Sequence, residues 1–203
     1  MTALVRQPLL TVAALFVLGV QIACGDSSST VTIGAAGPWS EGFGAMNRRG
    51  MELAVEEINA KGLIKGRTLK LLDRNDEGDG SKAAVIAKEF VDTPDVVAVV
   101  GHVTSGAMVA AAKVYDGHLA AVATTATSPN LTGISRWTFR VISSDSANGL
   151  DLARFVGRMG RKRAAIIYEN DAYGRGLVES FRRNFQGDVV SLDPISSETT
   201  DFE

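Results

Sequence analysis

Two spacings of apolar residues alternate along this chain. Short apolar runs at residues 31–35, 68–72, 96–100, 120–124 and 164–168 read as strands. Between them, apolar positions recur every three or four residues, the period of a helix with one buried face. Met51, Ala54, Val55 and Ile58 follow that rule, and the segment stops at Asn59-Ala60-Lys61-Gly62, with glycine just past the last turn. Ala83, Ile86, Ala87 and Phe90 share one face of a helix at residues 81–91, which Asp92-Thr93-Pro94 ends. Residues 96–100 are apolar without a break, as expected of a strand buried on both faces of a sheet. Further helices are expected at 105–115, 145–159 and 174–185, with Ser144 or Asp145 capping the second. Further strands are expected at 137–142 and 189–192. Strand and helix in alternation imply an α/β fold, a parallel sheet with helices on both faces.

One stretch interrupts the alternation. Residues 124–133 are rich in Thr, Ser, Pro and Gly, and the strand that follows reads as the path between two lobes. The first lobe then spans residues 31–142 and the second residues 143–203. The second has two convincing strands against about five or six in an average sheet. It therefore reads as incomplete at Glu203.

The first thirty residues obey a different logic. An apolar run at residues 9–20 follows Arg6. It is shorter than the ~20 residues a membrane-spanning helix needs and has the length of an export signal. It closes at Gln21-Ile22-Ala23-Cys24, and residues 25–30 form a polar tether. The layout resembles a bacterial lipoprotein signal, which ends in Leu, two small residues and Cys; Gln21 stands at the leucine position. The resemblance implies an exported protein, with residues 1–24 as the signal and Cys24 as a lipidated membrane anchor. Cys24 is the chain's only cysteine, so no intrachain disulfide supports the fold.

Composition narrows the function classes. With 203 residues, 45% of them hydrophobic, and a formal net charge of -2, the chain has a globular balance and no electrostatic footprint for nucleic acid. The basic clusters at Arg161-Lys162-Arg163 and Arg182-Arg183 read as solvated helix ends and faces.

In open α/β sheets, ligands bind beyond the carboxyl ends of the strands. Four such exits are rich in small polar residues: 37–44, 101–106, 124–129 and 169–174. The exit at 101–106 runs straight into a helix. The first N–H groups of a helix have no intrahelical partner and favour an anion, and Ser105 adds a hydroxyl there. The turn Thr125-Ala126-Thr127 offers hydroxyls and carbonyls that accept hydrogen bonds from an ammonium group. Together the two turns suit a zwitterion such as an α-amino acid. The same Ser and Thr residues also read as helix caps and turn formers.

Enzyme and cofactor readings meet specific obstacles. The glycines at 101 and 106 have phosphate-loop spacing, but Ala107 and Met108 stand where that motif needs Lys and then Ser or Thr. Gly42-Phe43-Gly44 begins a dinucleotide fingerprint that fails at Asn47. Ser105 lacks the flanking glycines of a nucleophile elbow, which weakens an exported hydrolase relying on Ser105 and His118. His102 and His118 have no carboxylate or cysteine at metal-ligand spacing, so each reads as structural or solvent-facing. No cofactor motif is complete.

Several segments then come in one order: Gly34-Ala35-Ala36-Gly37-Pro38, Ile58-Asn59-Ala60-Lys61-Gly62-Leu63-Ile64-Lys65-Gly66, Asp73-Arg74-Asn75-Asp76, Gly101-His102 with Ser105, the 124–131 turn, Phe139-Arg140, and Asn170-Asp171-Ala172-Tyr173-Gly174. In that order they resemble the branched-chain amino acid binding proteins of bacterial ABC transporters, which are type I periplasmic solute-binding proteins. The resemblance implies two lobes joined by a three-segment hinge that closes on ligand. It implies a carboxylate bound at Ser105 with Val103 and Thr104 beside it. It implies that the Thr125, Ala126 and Thr127 turn meets the ammonium and carboxylate groups. Phe43 falls at an aromatic position of the side-chain pocket, and Tyr173 at a second-lobe aromatic near the pocket mouth. An ABC permease is the implied partner. The disulfide common in the family is absent, its positions being Gly78 and Thr104. The acidic partner of the ammonium and the return segment completing the first lobe are expected beyond Glu203. An exported sensor for amides, urea or aromatic acids is the alternative on the same fold.

Overall fold

The computed structural model describes residues 29–196, 199 and 200; the expected export signal and Cys24 lie outside the described residues. Five strands, β1 (Thr30–Gly37), β2 (Thr68–Asn75), β3 (Val96–Gly101), β4 (Ala120–Ala123) and β5 (Thr138–Arg140), form one sheet. Their order is β2-β1-β3-β4-β5, and every pair is parallel. Helices α1 (Gly42–Ala60), α2 (Gly80–Asp92) and α3 (Ser105–Tyr115) make the first three crossovers. A single 3₁₀ turn at Pro129–Leu131 lies between β4 and β5. Then α4 (Asp145–Arg158), β6 (Arg163–Glu169), α5 (Ala172–Asn184) and β7 (Asp188–Ile195) build a second parallel pair.

Parallel pairing puts the carboxyl ends of all five strands at one edge of the sheet. The chain passes from β1 to β2 on one side, then crosses to β3 on the other. The loops leaving β1 and β3 therefore diverge, which opens a crevice at a topological switch point.

The core lies on one face of the larger sheet. Phe90, Met108, Ala111 and Tyr115 from α2 and α3 pack against Ala36, Val99, Ala121 and Ala123 of the strands, all fully buried. Small strand residues let the helices sit close. A Cβ on Gly34 would stand 2.8 Å from the Phe90 ring.

The opposite face is covered differently. Here α1 lies alone, and Val31, Ile33, Leu71 and Val100 line an open apolar groove of about 780 Å³ beneath Met51 and Val55. This corrects the expectation for residues 96–100: Val97 is 55% exposed, at the irregularity where the β1–β3 register steps from Val96 to Ala98 and leaves Val97 unpaired.

Element boundaries shift for local reasons. β2 runs on through Asp73-Arg74-Asn75, since it is the sheet's edge strand and its polar side chains pair outward. Arg74 bonds Glu89 at 2.5 Å, and Asp73 meets Arg48 at 3.0 Å. α5 begins before Gly174 because the Asp171 carboxylate caps it, accepting the Gly174 N–H at 2.7 Å. Ser144 caps α4, and Asp145 becomes its first helical residue. No described helix is long and apolar enough to cross a membrane.

Candidate functional site

The exits from β3 and β4 are tied together by hydrogen bonds between them. β3 ends at Gly101, whose φ is +109° and whose missing side chain lets the backbone approach Ala36 O; a Cβ there would lie 2.2 Å from that oxygen. His102, Val103 and Thr104 then lead into α3. Thr104 is the N-cap, but its side chain does not cap the helix. Its hydroxyl turns instead to Gly78 O at 3.4 Å. Among the described residues the first N–H groups of α3 thus receive no side-chain acceptor, and they carry the positive end of the helix dipole.

Each hydroxyl around these N–H groups has a defined polarity. Ser105 is buried, and its Oγ accepts the Ser128 N–H at 3.2 Å. Its own hydrogen has no acceptor among the described residues and remains available to donate. Thr125 donates its hydrogen to Val103 O at 2.7 Å. Thr127 donates its hydrogen to Asp145 Oδ2 at 2.8 Å. Both threonine oxygens are left able only to accept. Donors therefore gather at the start of α3 and acceptors at the turn after β4.

Other contacts hold the second turn rigid. Asp145 donates its N–H to Thr127 O at 3.0 Å, and Arg140 reaches Thr127 O at 3.3 Å and Ser128 O at 3.0 Å. The Thr127 carbonyl, expected as an acceptor for ligand, is thus occupied within the protein. Asn148 Nδ2 donates to the other Asp145 oxygen at 3.1 Å. Thr124 donates to Asn47 Oδ1 of α1 at 2.7 Å, which fixes the entry to the turn.

The structure brings Val103, Thr104, Ser105, Thr125, Ala126 and Thr127 together. Among the described residues, neither expected aromatic makes a side-chain hydrogen bond or ring contact with these turns. Phe43 stands on the first turn of α1, 56% exposed, and its ring makes no aromatic contact among the described residues. Tyr173, 44% exposed, lines a separate apolar groove of about 470 Å³ with Leu152, Ile166 and Phe181. The positions that the resemblance links to a disulfide do meet: a Cβ on Gly78 would stand 3.5 Å from Thr104 Cγ2.

The comparisons with known proteins agree with this architecture. A family profile described as "Periplasmic binding protein" matches residues 30–203. The chain belongs to the periplasmic binding proteins. An amino acid binding protein of Pseudomonas aeruginosa is 33% identical over 186 residues, which cover 88% of this chain and 49% of that protein. The leucine-specific-binding protein of Salmonella typhimurium is 30% identical over 199 residues, 94% of this chain and 53% of that one. Among solved structures, the branched-chain amino acid transporter substrate binding protein of Streptococcus pneumoniae, in complex with isoleucine, superposes with a TM-score of 0.76 at 29% identity. That match covers 86% of this chain and 52% of the other. The chain spans about half the length of the curated relatives it matches.

In this periplasmic binding protein, sequence reasoning missed four residues around the site. Asp145 appeared only as a possible helix cap, and Arg140 only within a shared segment. Asp76 and Tyr115 carried no assigned role. Of the two readings offered for His102, structural or solvent-facing, the structural one holds, and the ring has a carboxylate neighbour: Asp76 Oδ2 lies 2.6 Å from Nδ1. The partner is 26 residues away in sequence, beyond the spacing that a local motif scan covers. His102 is buried, and His118 is exposed. Among the described residues, no cluster of three His, Cys, Asp or Glu side chains is placed to hold a metal ion.

Proposed function

We propose that this chain forms the first part of an amino acid binding cleft in the substrate-binding component of an ABC importer. The observation that carries the reading is the opposite polarity of the two turns. Ser105 and the open N–H groups of α3 present donors for a carboxylate, while Thr125 and Thr127 present acceptors for an ammonium. An α-amino acid needs both at once. The Leu/Ile/Val-binding and leucine-specific-binding relatives support an aliphatic side chain on that amino acid.

In this reading the 31–142 segment is the N-terminal lobe, and α4 onward begins the second. Ligand favours a closed state because only that state contacts it from both lobes. Phe43, exposed on the same lobe as the two turns, lines the ligand's side chain there, and Tyr173, exposed on the second lobe, approaches it on closure. Export follows from the signal-like residues 1–24, and lipid attached at Cys24 keeps the protein near its permease, raising its effective concentration there.

A thermal-shift and calorimetric screen of the completed protein that carries this chain and the rest of the cleft tests the proposal, using leucine, isoleucine, valine, their amides, urea and benzoate. Saturable heat with at least one aliphatic amino acid is expected. Heat with the amides or benzoate alone would move the ligand class, and no heat with any of them would remove the substrate claim.

A further inference from the structure

Three buried ionisable side chains stand behind the site and make no approach to its open groups. His102, Asp76 and Tyr115 are completely buried. His102 Nδ1 lies 2.6 Å from Asp76 Oδ2, and Nε2 lies 3.0 Å from the Tyr115 hydroxyl. The three come from different places: the loop after β2, the end of β3 and the last turn of α3.

Their hydrogens can be assigned in sequence. Burial, reinforced by the Asp76 charge, raises Tyr115 above its ordinary pKa of 10.0, so the phenol keeps its hydrogen and donates it to Nε2. Nδ1 then bears the ring's hydrogen and donates it to Asp76. The other Asp76 oxygen accepts the Gly78 N–H at 2.8 Å, and the Asp76 N–H donates to Gly37 O at 3.1 Å. No Lys or Arg pairs with Asp76 among the described residues; the imidazole and these amides hold it. Every member of the network is satisfied, which makes such a buried network rigid.

That rigidity bears on the site through the backbone. His102 immediately precedes Val103-Thr104-Ser105. The Val103 carbonyl accepts the Thr125 hydroxyl, and Ser105 Oγ accepts the Ser128 N–H. Holding the imidazole in place thus holds the donor turn and, through it, the acceptor turn. A further hydrogen bond on this loop, from Thr104 to Gly78, is long at 3.4 Å. With no exposed ring atom, the imidazole has no route to a ligand of its own.

We propose that His102 is a positioning residue for the amino acid site, clamped between Asp76 and Tyr115 so that the 103–105 segment holds its donors in place for the ligand's carboxylate. This rests on the amino acid reading above.

The test uses His102→Leu, His102→Asn and Tyr115→Phe in the completed protein that carries this chain and the rest of the cleft. Two quantities are read. One is the ratio of affinities for leucine and leucinamide, which lacks the carboxylate. The other is amide hydrogen exchange over residues 102–108, with α5 as an internal control. His102→Leu is expected to lower the ratio about tenfold, the scale of one lost buried hydrogen bond. It is also expected to speed exchange at 102–108 and not in α5. His102→Asn, whose amide N–H falls near the Nδ1 position, should recover most of both. An unchanged ratio and unchanged exchange in folded His102→Leu would overturn the proposal. So would equal losses in the Leu and Asn variants, since packing alone would then explain them. If His102→Leu fails to fold, Tyr115→Phe, which leaves the Asp76 bond intact, decides by the same two readings. If the unaltered protein binds no amino acid, the functional reading fails separately, and unchanged exchange in the variants would still defeat the clamp.

Discussion

Thr127 donates its hydroxyl hydrogen to Asp145 at 2.8 Å, and Asp145 returns a backbone N–H to the Thr127 carbonyl at 3.0 Å. Both residues are buried. The exchange joins the last turn of the larger sheet's site to the first residue of α4, across the strand that connects the two sheets. It also decides which way the Thr127 hydroxyl faces chemically: its hydrogen is spent, and its oxygen remains to accept.

Thr127→Val keeps the shape of the side chain and removes that oxygen. Affinity for leucine should fall by about 1–3 kcal/mol, while affinity for 4-methylpentanoate, which has no ammonium, should fall much less. Thr127→Ser should retain the wild-type preference. Calorimetric titration of both ligands measures the ratio, and equal losses for the two would show that Thr127 does not meet the ammonium.

Ser105→Ala removes the donor on the other turn. Leucine binding should weaken by about 1–3 kcal/mol through the loss of a charge-assisted bond. The Ser128 N–H also loses its acceptor, so unfolding of the unliganded protein in urea separates the stability cost from the binding cost. A variant of altered stability but wild-type affinity would remove Ser105 from the ligand's contacts.

Tyr115 predicts an alkaline signature. Its folded pKa is raised above the ordinary 10.0, chiefly by burial. Below pH 10 the phenol is protonated in both folded and unfolded chains, and its contribution is fully present. Above that value the unfolded chain releases its proton and the folded chain does not, so stability falls as pH rises. Melting temperatures from pH 8 to 11.5 should show this fall in the wild type and a shallower one in Tyr115→Phe. Parallel curves would mean that the buried phenol titrates normally.

Phe90 tests the core. It is completely buried against Gly34 and the α3 face. Phe90→Ala should cost about 3–5 kcal/mol of unfolding free energy. Val97→Ala, at an exposed strand position, should cost far less, and chemical denaturation of the two variants compares them directly.

Much of this arrangement is legible in the sequence. Ala83, Ile86, Ala87 and Phe90 were placed on one helix face by period alone, and all four are buried. The donor turn and acceptor turn were named from Ser105, Thr125 and Thr127, because local turn chemistry is written in adjacent residues. Contacts between distant segments left no such trace. Asp76 and His102 are 26 residues apart, and Thr127 and Asp145 are 18 apart, so their partnership depends on sheet order. Val97 misled for a related reason. A run of valines signals a strand, but a register irregularity such as the one that leaves Val97 unpaired is set by the pairing with β1.

The opposed polarity of the two turns has a stereochemical consequence. Two anchor points hold an α-amino acid along the line from its carboxylate to its ammonium and leave it free to rotate about that line. A mirror-image ligand satisfies the same two points equally well. Any preference for one enantiomer must therefore arise at a third contact, where the side chain meets the protein. Substitutions at Phe43 should alter the ratio of L- to D-leucine binding, whereas Ser105 and Thr127 substitutions should weaken both hands alike.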